Sequence, residues 1–199
     1  SQAHAEMFRV LGIGTVGLAD YLAKNDRNYY TGKDLIADVY ERIALYAAEE
    51  SNKLAKETKP FDAYLNSDWR EGKIYSKDLS FYENSKYADR WNFLANEIAV
   101  YGIRNSMLLA VAPNTRTSII QGATASFLPP YKLIMEEKNS RGVYTVLPRY
   151  IKDKYHYYNE NVNFDQFELV NIVATCIQPW VDQGISMELV VNPNRISTL

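Results

Sequence analysis

YGIRNSMLLAVAPNTRTSIIQGATASFLPP, residues Tyr101–Pro130, joins an apolar strand pattern to a polar loop. The apolar run Met107–Ala112 predicts a buried strand, and it ends at Pro113. Small polar residues around one arginine follow, at the point where a helix or a tight loop begins. Hydroxyl groups, free N–H groups at a helix start and a guanidinium group all suit an anion. The candidate anion-binding residues are Pro113, Asn114, Thr115, Arg116, Thr117 and Ser118.

The composition of this loop leaves two interpretations equally open. In the first, the loop binds a phosphate group, because such a loop needs converging N–H groups, hydroxyl donors and little steric bulk. In the second, the same residues form an ordinary helix cap with an arginine on the surface.

Composition limits the class of protein. The 199 residues suit one domain or a large piece of one, and 47% of them are hydrophobic, which is enough for a core. The net charge of −2 does not favour a nucleic-acid partner. No apolar stretch approaches the roughly 20 residues that span a bilayer, so we expect no membrane partner. The single cysteine, Cys176, excludes an internal disulfide and fits a reducing compartment, so we expect a cytoplasmic protein.

Hydrophobic periodicity predicts helices and strands that alternate along the chain. Strands are expected at 8–13, 107–112, 133–137, 143–147 and 185–191, the third and fourth of which form a hairpin. Helices are expected at 18–24, 33–56, 87–104, 150–158, and from Asn163 or Asp165 to about 183. Pro179 lies inside the last of these and is expected to kink or shorten it. The stretch 61–86 is interpreted as a surface excursion with little regular structure. This order predicts an α/β fold with parallel strand pairing.

The glycines Gly12, Gly14 and Gly17 have the spacing of a dinucleotide-binding fingerprint. That fingerprint also requires a second strand after the helix, with an acidic residue at its end. Asp34 and Asp38 lie near the right distance, but inside a long predicted helix. We therefore expect the glycines to let a helix pack closely on a strand. A structure without a strand between residues 24 and 60 would exclude dinucleotide binding.

The remaining reactive side chains do not form a recognisable site. Cys176 lies on or beside the apolar face of a predicted helix without a cationic neighbour in sequence, so we expect a buried cysteine and not a nucleophile. His4 and His156 share no ligand spacing with each other or with the cysteine, so we expect no metal site.

Four segments, in the same order along the chain, resemble the catalytic (large) subunit of ribonucleotide reductase. The first is Leu11–Asp20, LGIGTVGLAD, and the second is Gly102–Ser118, GIRNSMLLAVAPNTRTS. The third is Gly122–Pro130, GATASFLPP, and the fourth is Trp180–Met187, WVDQGISM. The resemblance extends over nearly the whole chain, and four ordered matches are far more specific than any single motif.

The resemblance implies a ten-stranded α/β barrel made of two five-stranded halves, of which residues 1–199 would be the second half and one piece of a single domain. It also implies that the radical-bearing cysteine and the redox-active cysteine pair lie outside this chain. The chain does not begin with Met and ends in mid-sequence at Leu199, so we expect a fragment of a longer polypeptide. We therefore expect no catalytic residue here and no activity from the fragment alone.

The same resemblance implies an oxidoreductase, a ribonucleoside-diphosphate reductase that makes deoxyribonucleotides for DNA replication by cysteine-radical chemistry. Residues 113–118 match the family segment that holds the substrate's diphosphate with backbone N–H groups and hydroxyls. Arg116 departs from that segment, which usually has a small residue there, so the arginine could pair with the phosphates or point outward. We expect Thr115, Thr117 and Ser118 to follow the family pattern.

The implied partners are a ribonucleoside diphosphate, the N-terminal part of the same subunit, a radical-generating metallo-subunit and a thioredoxin- or glutaredoxin-type reductant. The chain itself is expected to hold no cofactor and to form a homo-oligomer. The alternative is a stand-alone phosphate- or nucleotide-binding module that has kept the loop and lost the chemistry.

Overall fold

The structure is a computed structural model that describes residues 2–139, 142–162 and 164–190. Its described residues form seven α-helices and one two-stranded sheet. The helices are α1 (Gln2–Phe8), α2 (Leu18–Lys24), α3 (Lys33–Glu57), α4 (Ala88–Tyr101), α5 (Thr115–Gln121), α6 (Ile151–Asn159) and α7 (Gln166–Ile172). The strands are β1 (Met135–Asn139) and β2 (Gly142–Val146). None of the described helices is long and apolar enough to cross a membrane.

The chain divides into two compact units. The first consists of the described residues before Gly14, Asp38–Ala110 and Trp180–Gly184. The second consists of Gly14–Ala37 together with the described residues of Val111–Pro179 and those from Ile185 onward.

Helix α3 confirms the helix that hydrophobic periodicity predicted at residues 33–56. Ile36, Tyr40, Ala44 and Ala48 recur at four-residue spacing and are all buried, with exposed fractions of 1% or less. Just before the helix, a Cβ atom at Gly32 would lie 2.8 Å from the backbone oxygen of Asn28, so this close approach of the chain requires glycine.

The stretch 61–86 is not the surface excursion that its irregular sequence predicted. It contains two short 3₁₀ turns, Tyr64–Asn66 and Leu79–Tyr82, and it contributes large side chains to the core of the first unit. Hydroxyl groups of two tyrosines in this stretch donate hydrogen bonds to helix carbonyls. Tyr64 donates to Ile98 O of α4 at 2.8 Å, and Tyr75 donates to Ala44 O of α3 at 2.8 Å. An aromatic ring can therefore be buried here while its hydroxyl remains hydrogen-bonded. The buried residues of this stretch are Phe61, Tyr64, Trp69, Ile74, Tyr75 and Tyr82.

The predicted strands 8–13 and 107–112 meet in a parallel pairing that is much shorter than expected. Ile13 and Leu109 form a single parallel bridge, and Leu11 N donates to Met107 O at 3.0 Å. The N–H groups of Leu108 and Leu109 both donate to one carboxylate oxygen of Asp182, at 2.8 Å each. The Asp182 carboxylate thus accepts N–H groups that would otherwise pair with a neighbouring strand, and this limits the length of the strand pairing.

The second unit contains the predicted hairpin. Strands β1 and β2 pair antiparallel, with Met135 opposite Val146 and Asn139 opposite Gly142. The last predicted strand is wrong over residues 185–190, which are not in a strand, and Val191 lies outside the described residues. The described residues therefore mix helices and strands, and their one regular sheet is the hairpin.

The last predicted helix begins where expected and changes its winding before Pro179. Asp165 caps α7 by accepting a hydrogen bond from Glu168 N at 2.9 Å, whereas Asn163 lies outside the described residues. After α7 the chain continues as a π-helical turn, Val173–Ile177, and then as a 3₁₀ turn, Gln178–Trp180. Proline lacks the N–H group that a regular helix would need at this point, which explains the altered winding.

Candidate functional site

The predicted loop leads into helix α5 of the second unit. Asn114 lies at the N-cap position, but its side chain does not cap the helix. Its amide instead donates to Thr15 O at 2.7 Å, and its Oδ1 accepts from Ser126 N at 2.7 Å. These two bonds hold the start of α5 between the segment before α2 and the segment after α5.

The start of α5 leaves polar groups free for a ligand. The first hydrogen bond of the helix runs from Ser118 N to Asn114 O at 2.9 Å. The N–H groups of Thr115, Arg116 and Thr117 therefore have no acceptor within the helix, and these three residues are exposed. Such N–H groups beside hydroxyl side chains suit a phosphate oxygen.

The six predicted residues separate into two groups around one cavity. Pro113, Asn114, Thr115 and Ser118 line it. Arg116 and Thr117 lie outside its lining, and Arg116 forms no ion pair with any residue that the structure describes. Ser118 is 2% exposed, and its hydroxyl donates to Thr115 O at 2.6 Å, so in this state it supports the turn.

The cavity has a volume of about 1290 Å³, and all of its lining residues belong to the second unit. Its wall combines the loop with the segment Thr124–Lys132, parts of the hairpin, and residues around α7. Side chains such as Tyr30, Leu128 and Phe164 make much of the wall apolar. A typical small-molecule site occupies roughly 300–1,000 Å³, so this cavity is larger than most such sites.

Ser126 is a residue of this wall that the sequence did not suggest. Its backbone φ of 47° lies in the left-handed region, which is uncommon for a residue with a side chain. Its hydroxyl is buried and has no hydrogen-bond partner among the described residues. Buried polar groups are normally paired, so this one marks a strained or functional position.

Asp20 is a buried carboxylate beside the same wall. It lies in the first turn of α2 and is 5% exposed. Its Oδ2 accepts from Thr124 N at 2.6 Å and from the Thr124 hydroxyl at 3.1 Å. Its Oδ1 accepts from Arg149 N at 3.2 Å and from the Tyr158 hydroxyl at 2.7 Å.

Tyr158 remains a donor in this arrangement. Burial, together with the hydrogen bond to Asp20, raises the pKa of Tyr158 well above that of an ordinary tyrosine. The phenol therefore stays protonated at physiological pH, and its O–H group donates a hydrogen bond to the carboxylate.

One sequence signal could have identified Asp20. It is the charged member of the run Leu18–Ala23, whose other members are mostly buried. A carboxylate among buried apolar residues is rare unless it is paired, which is itself a prediction of hydrogen-bond donors nearby. This signal does not identify the donor residues, because Thr124 and Arg149 lie more than 100 residues further along the chain.

The dinucleotide interpretation of the glycines is excluded. Residues 24–60 contain α3 and no strand, so the acidic residues Asp34 and Asp38 do not end a second strand. Gly17 precedes α2 with a φ of 78°, and a Cβ atom at Gly12 would lie 3.3 Å from Ala110 Cβ, which is not in a helix.

Cys176 is buried, as its position in the sequence predicted. It is 7% exposed, and its sulfur lies 3.5 Å from the Thr175 hydroxyl. Over 2–139, 142–162 and 164–190, no group of three or more His, Cys, Asp or Glu side chains could hold a metal ion.

Comparison with known proteins identifies the relatives of this chain. The family described as "Ribonucleotide reductase, barrel domain" matches residues 1–199. The chain is 40% identical to the ribonucleoside-diphosphate reductase subunit alpha of Synechocystis sp., over 98% of the chain and 25% of that relative. It is 32% identical to the ribonucleoside-diphosphate reductase 1 subunit alpha of Escherichia coli, over 94% of the chain and 25% of that relative. It is 29% identical to the ribonucleoside-diphosphate reductase subunit alpha of Bacillus subtilis, over 90% and 28%. The chain thus spans about a quarter of the length of these curated relatives.

Proposed function

Because the chain belongs to the family of ribonucleotide reductase barrel domains, we propose that it is part of the large subunit of a ribonucleoside-diphosphate reductase. In this proposal residues 1–199 form one piece of the barrel domain, the second half of a ten-stranded α/β barrel. The complete subunit converts ribonucleotides to deoxyribonucleotides by cysteine-radical chemistry. The family match over the whole chain is the observation that carries the proposal.

We assign the loop 113–118 to the diphosphate of the substrate. The free N–H groups at the start of α5 and the Thr115 hydroxyl at the cavity wall support this role. Thr117 is exposed at the same helix start, outside the cavity lining. Arg116 is exposed and without an ion pair among the described residues, so it is available to a phosphate without breaking an existing bond.

The chemistry of the reaction comes from outside this chain. The proposal requires a radical-bearing cysteine in the N-terminal part of the subunit, because Cys176 is buried and has no role in it. It also requires a radical-generating metallo-subunit and a thioredoxin- or glutaredoxin-type reductant. We propose that the complete subunit is a cytoplasmic homo-oligomer.

An activity assay tests the proposal. The isolated chain should not reduce a ribonucleoside diphosphate, and the complete subunit with its radical-generating partner and a dithiol reductant should do so. Turnover by the isolated chain would contradict the assignment of the radical chemistry to the N-terminal part of the subunit. A complete subunit without reductase activity would contradict the proposed function itself.

A second candidate function is a stand-alone nucleotide-binding module. One observation favours it: the cavity and the loop are built entirely from the second unit of this chain. Calorimetry of the isolated chain with a nucleoside diphosphate separates the two functions. Tight binding would favour the module, whereas part of a barrel should bind the nucleotide weakly.

A further inference from the structure

Helix α5 is held at both of its ends, and the two attachments meet at one side chain. At the start of the helix, Asn114 Oδ1 accepts from Ser126 N at 2.7 Å. Two residues earlier in the same segment, Thr124 donates both its N–H and its hydroxyl to Asp20 Oδ2. Thr124, which donates to Asp20, thus lies two positions before Ser126, which is hydrogen-bonded to the N-cap residue of α5.

The other attachment is at the end of α5. The Arg149 guanidinium donates to the carbonyl oxygen of the C-cap residue Gly122, at 3.1 Å, and to that of Gln121, the last residue of the helix. The backbone N–H of the same arginine donates to Asp20 Oδ1 at 3.2 Å. One buried carboxylate therefore connects the segments that hold the two ends of a seven-residue helix.

We propose that Asp20 is a positioning residue for the loop 113–118. It does not touch the ligand; it holds the segments 122–126 and 149–150, which in turn hold α5. The proposal rests on the proposed function, in which the loop binds the substrate's diphosphate.

The chemistry of the side chain matters here because both carboxylate oxygens are fully used. Each oxygen of Asp20 accepts two hydrogen bonds, and all four groups are donors. An asparagine has one oxygen and one NH₂ group, so in either orientation its NH₂ group would face one backbone N–H, that of Thr124 or that of Arg149, which would then lose its acceptor. Asp20→Asn should therefore release either the Thr124 side or the Arg149 side of α5 without changing the volume of the side chain.

The Asp20→Asn variant of the complete subunit tests the role. We expect the KM for a ribonucleoside diphosphate to rise about tenfold, the equivalent of one lost charge-assisted hydrogen bond, while kcat is unchanged. The inhibition constant of inorganic pyrophosphate, which probes the phosphate site alone, should rise by the same factor. A variant with wild-type values for both constants would contradict the positioning role.

Two matched variants separate positioning from general stability. In Glu41→Gln, a buried acid of the first unit also becomes an amide, but both of its donors, Trp91 Nε1 and Ser85 Oγ, use the same oxygen. This variant should keep the wild-type KM. Leu45→Ala removes a fully buried side chain of the first unit and should lower the Tm without raising the KM. A KM that rises equally in Leu45→Ala would show that Asp20 acts only through stability.

A second pair of variants keeps the test decisive if Asp20→Asn does not fold. Tyr158→Phe removes the hydroxyl that donates to Asp20, at a residue outside the cavity lining, and Tyr155→Phe removes an exposed hydroxyl of the same helix. The KM and the pyrophosphate inhibition constant should rise about threefold in Tyr158→Phe and stay at the wild-type value in Tyr155→Phe. Equal constants in the two variants would overturn the proposal.

The outcomes also distinguish the inference from the function on which it rests. If the wild-type subunit does not reduce a nucleoside diphosphate, both the proposed function and the positioning role of Asp20 are contradicted. If the wild-type subunit is active and inhibited by pyrophosphate while the Asp20 and Tyr158 variants keep wild-type constants, only the positioning role of Asp20 is contradicted.

Discussion

Ser126 combines two unfavourable features at one position. Its φ of 47° is costly for a residue with a Cβ atom, and its buried hydroxyl is unpaired among the described residues. Both backbone groups are nevertheless hydrogen-bonded, the N–H to Asn114 and the carbonyl to Leu18 N at 3.3 Å. The neighbouring segments therefore impose this conformation, and the residue itself does not favour it.

Substitution of Ser126 should reveal both costs. We expect Ser126→Gly to raise the free energy of unfolding by about 1 kcal/mol, because glycine adopts a positive φ without strain. Ser126→Ala removes the unpaired hydroxyl but keeps the strained φ, so its stability should lie between that of the glycine variant and the wild type. Urea unfolding of the three proteins measures this order, and a wild type more stable than both variants would contradict it.

At the scale of elements, Asp182 shows how a short strand pairing is completed. One of its carboxylate oxygens, Oδ2, accepts hydrogen bonds from the N–H groups of both Leu108 and Leu109. Burial raises the pKa of this carboxyl above its ordinary value, and the N–H groups of Leu109 and Leu108 offset that effect only in part. The negative charge is therefore less favourable in the folded protein than in the unfolded chain.

The raised pKa predicts a pH dependence of stability. As the pH rises from about 3.9, the ordinary value for aspartate, the unfolded chain loses the proton before the folded protein does. The contribution of Asp182 to stability should therefore fall with rising pH and become constant above its folded pKa. In Asp182→Asn the amide oxygen can accept both N–H groups, but no proton is lost, so this fall should be absent.

Urea unfolding of the wild type and of Asp182→Asn at several pH values measures this effect. The wild-type free energy of unfolding minus that of the variant should decrease from about pH 4 upward. A difference that increases with pH would mean that the two N–H groups outweigh the cost of burial.

At the scale of the whole molecule, each unit exposes large apolar side chains. In the first unit Phe93 is 67% exposed and Val100 is 72% exposed, both on α4. In the second unit Ile120 of α5 is 86% exposed and Phe167 of α7 is 87% exposed. The chain spans about a quarter of its curated relatives, so in the proposed subunit other segments are available to cover these surfaces.

Exposed apolar surface predicts association of the isolated chain. We expect it to self-associate, or to pair with a fragment that contains the rest of the subunit, because both cover apolar groups. Light scattering over a range of concentrations measures the mass. A monodisperse monomer at high concentration would contradict this expectation, and loss of self-association on adding the N-terminal fragment would support it.

Local patterns in the sequence were sufficient for most helices and for the hairpin. The periodicity of α3, the capping by Asp165 and the turn residues between β1 and β2 act over a few residues, so they can be recognised without the fold. The location of the loop 113–118 before a helix was also a local property, and α5 confirms it. The resemblance to ribonucleotide reductase likewise lay in short segments, and the family match confirms it.

Other features depend on partners that are distant in the chain. Asp20 and Thr124 are 104 residues apart, and Leu108 and Asp182 are 74 residues apart, so no sequence window contains either pair. The same reason explains the errors over the stretch 61–86 and over the strands. Burial of an aromatic ring and the length of a strand ladder are decided by what packs or pairs against them. The chain's own pattern thus determined where helices and the polar loop begin, whereas tertiary contacts alone decided that a buried aspartate connects both ends of α5.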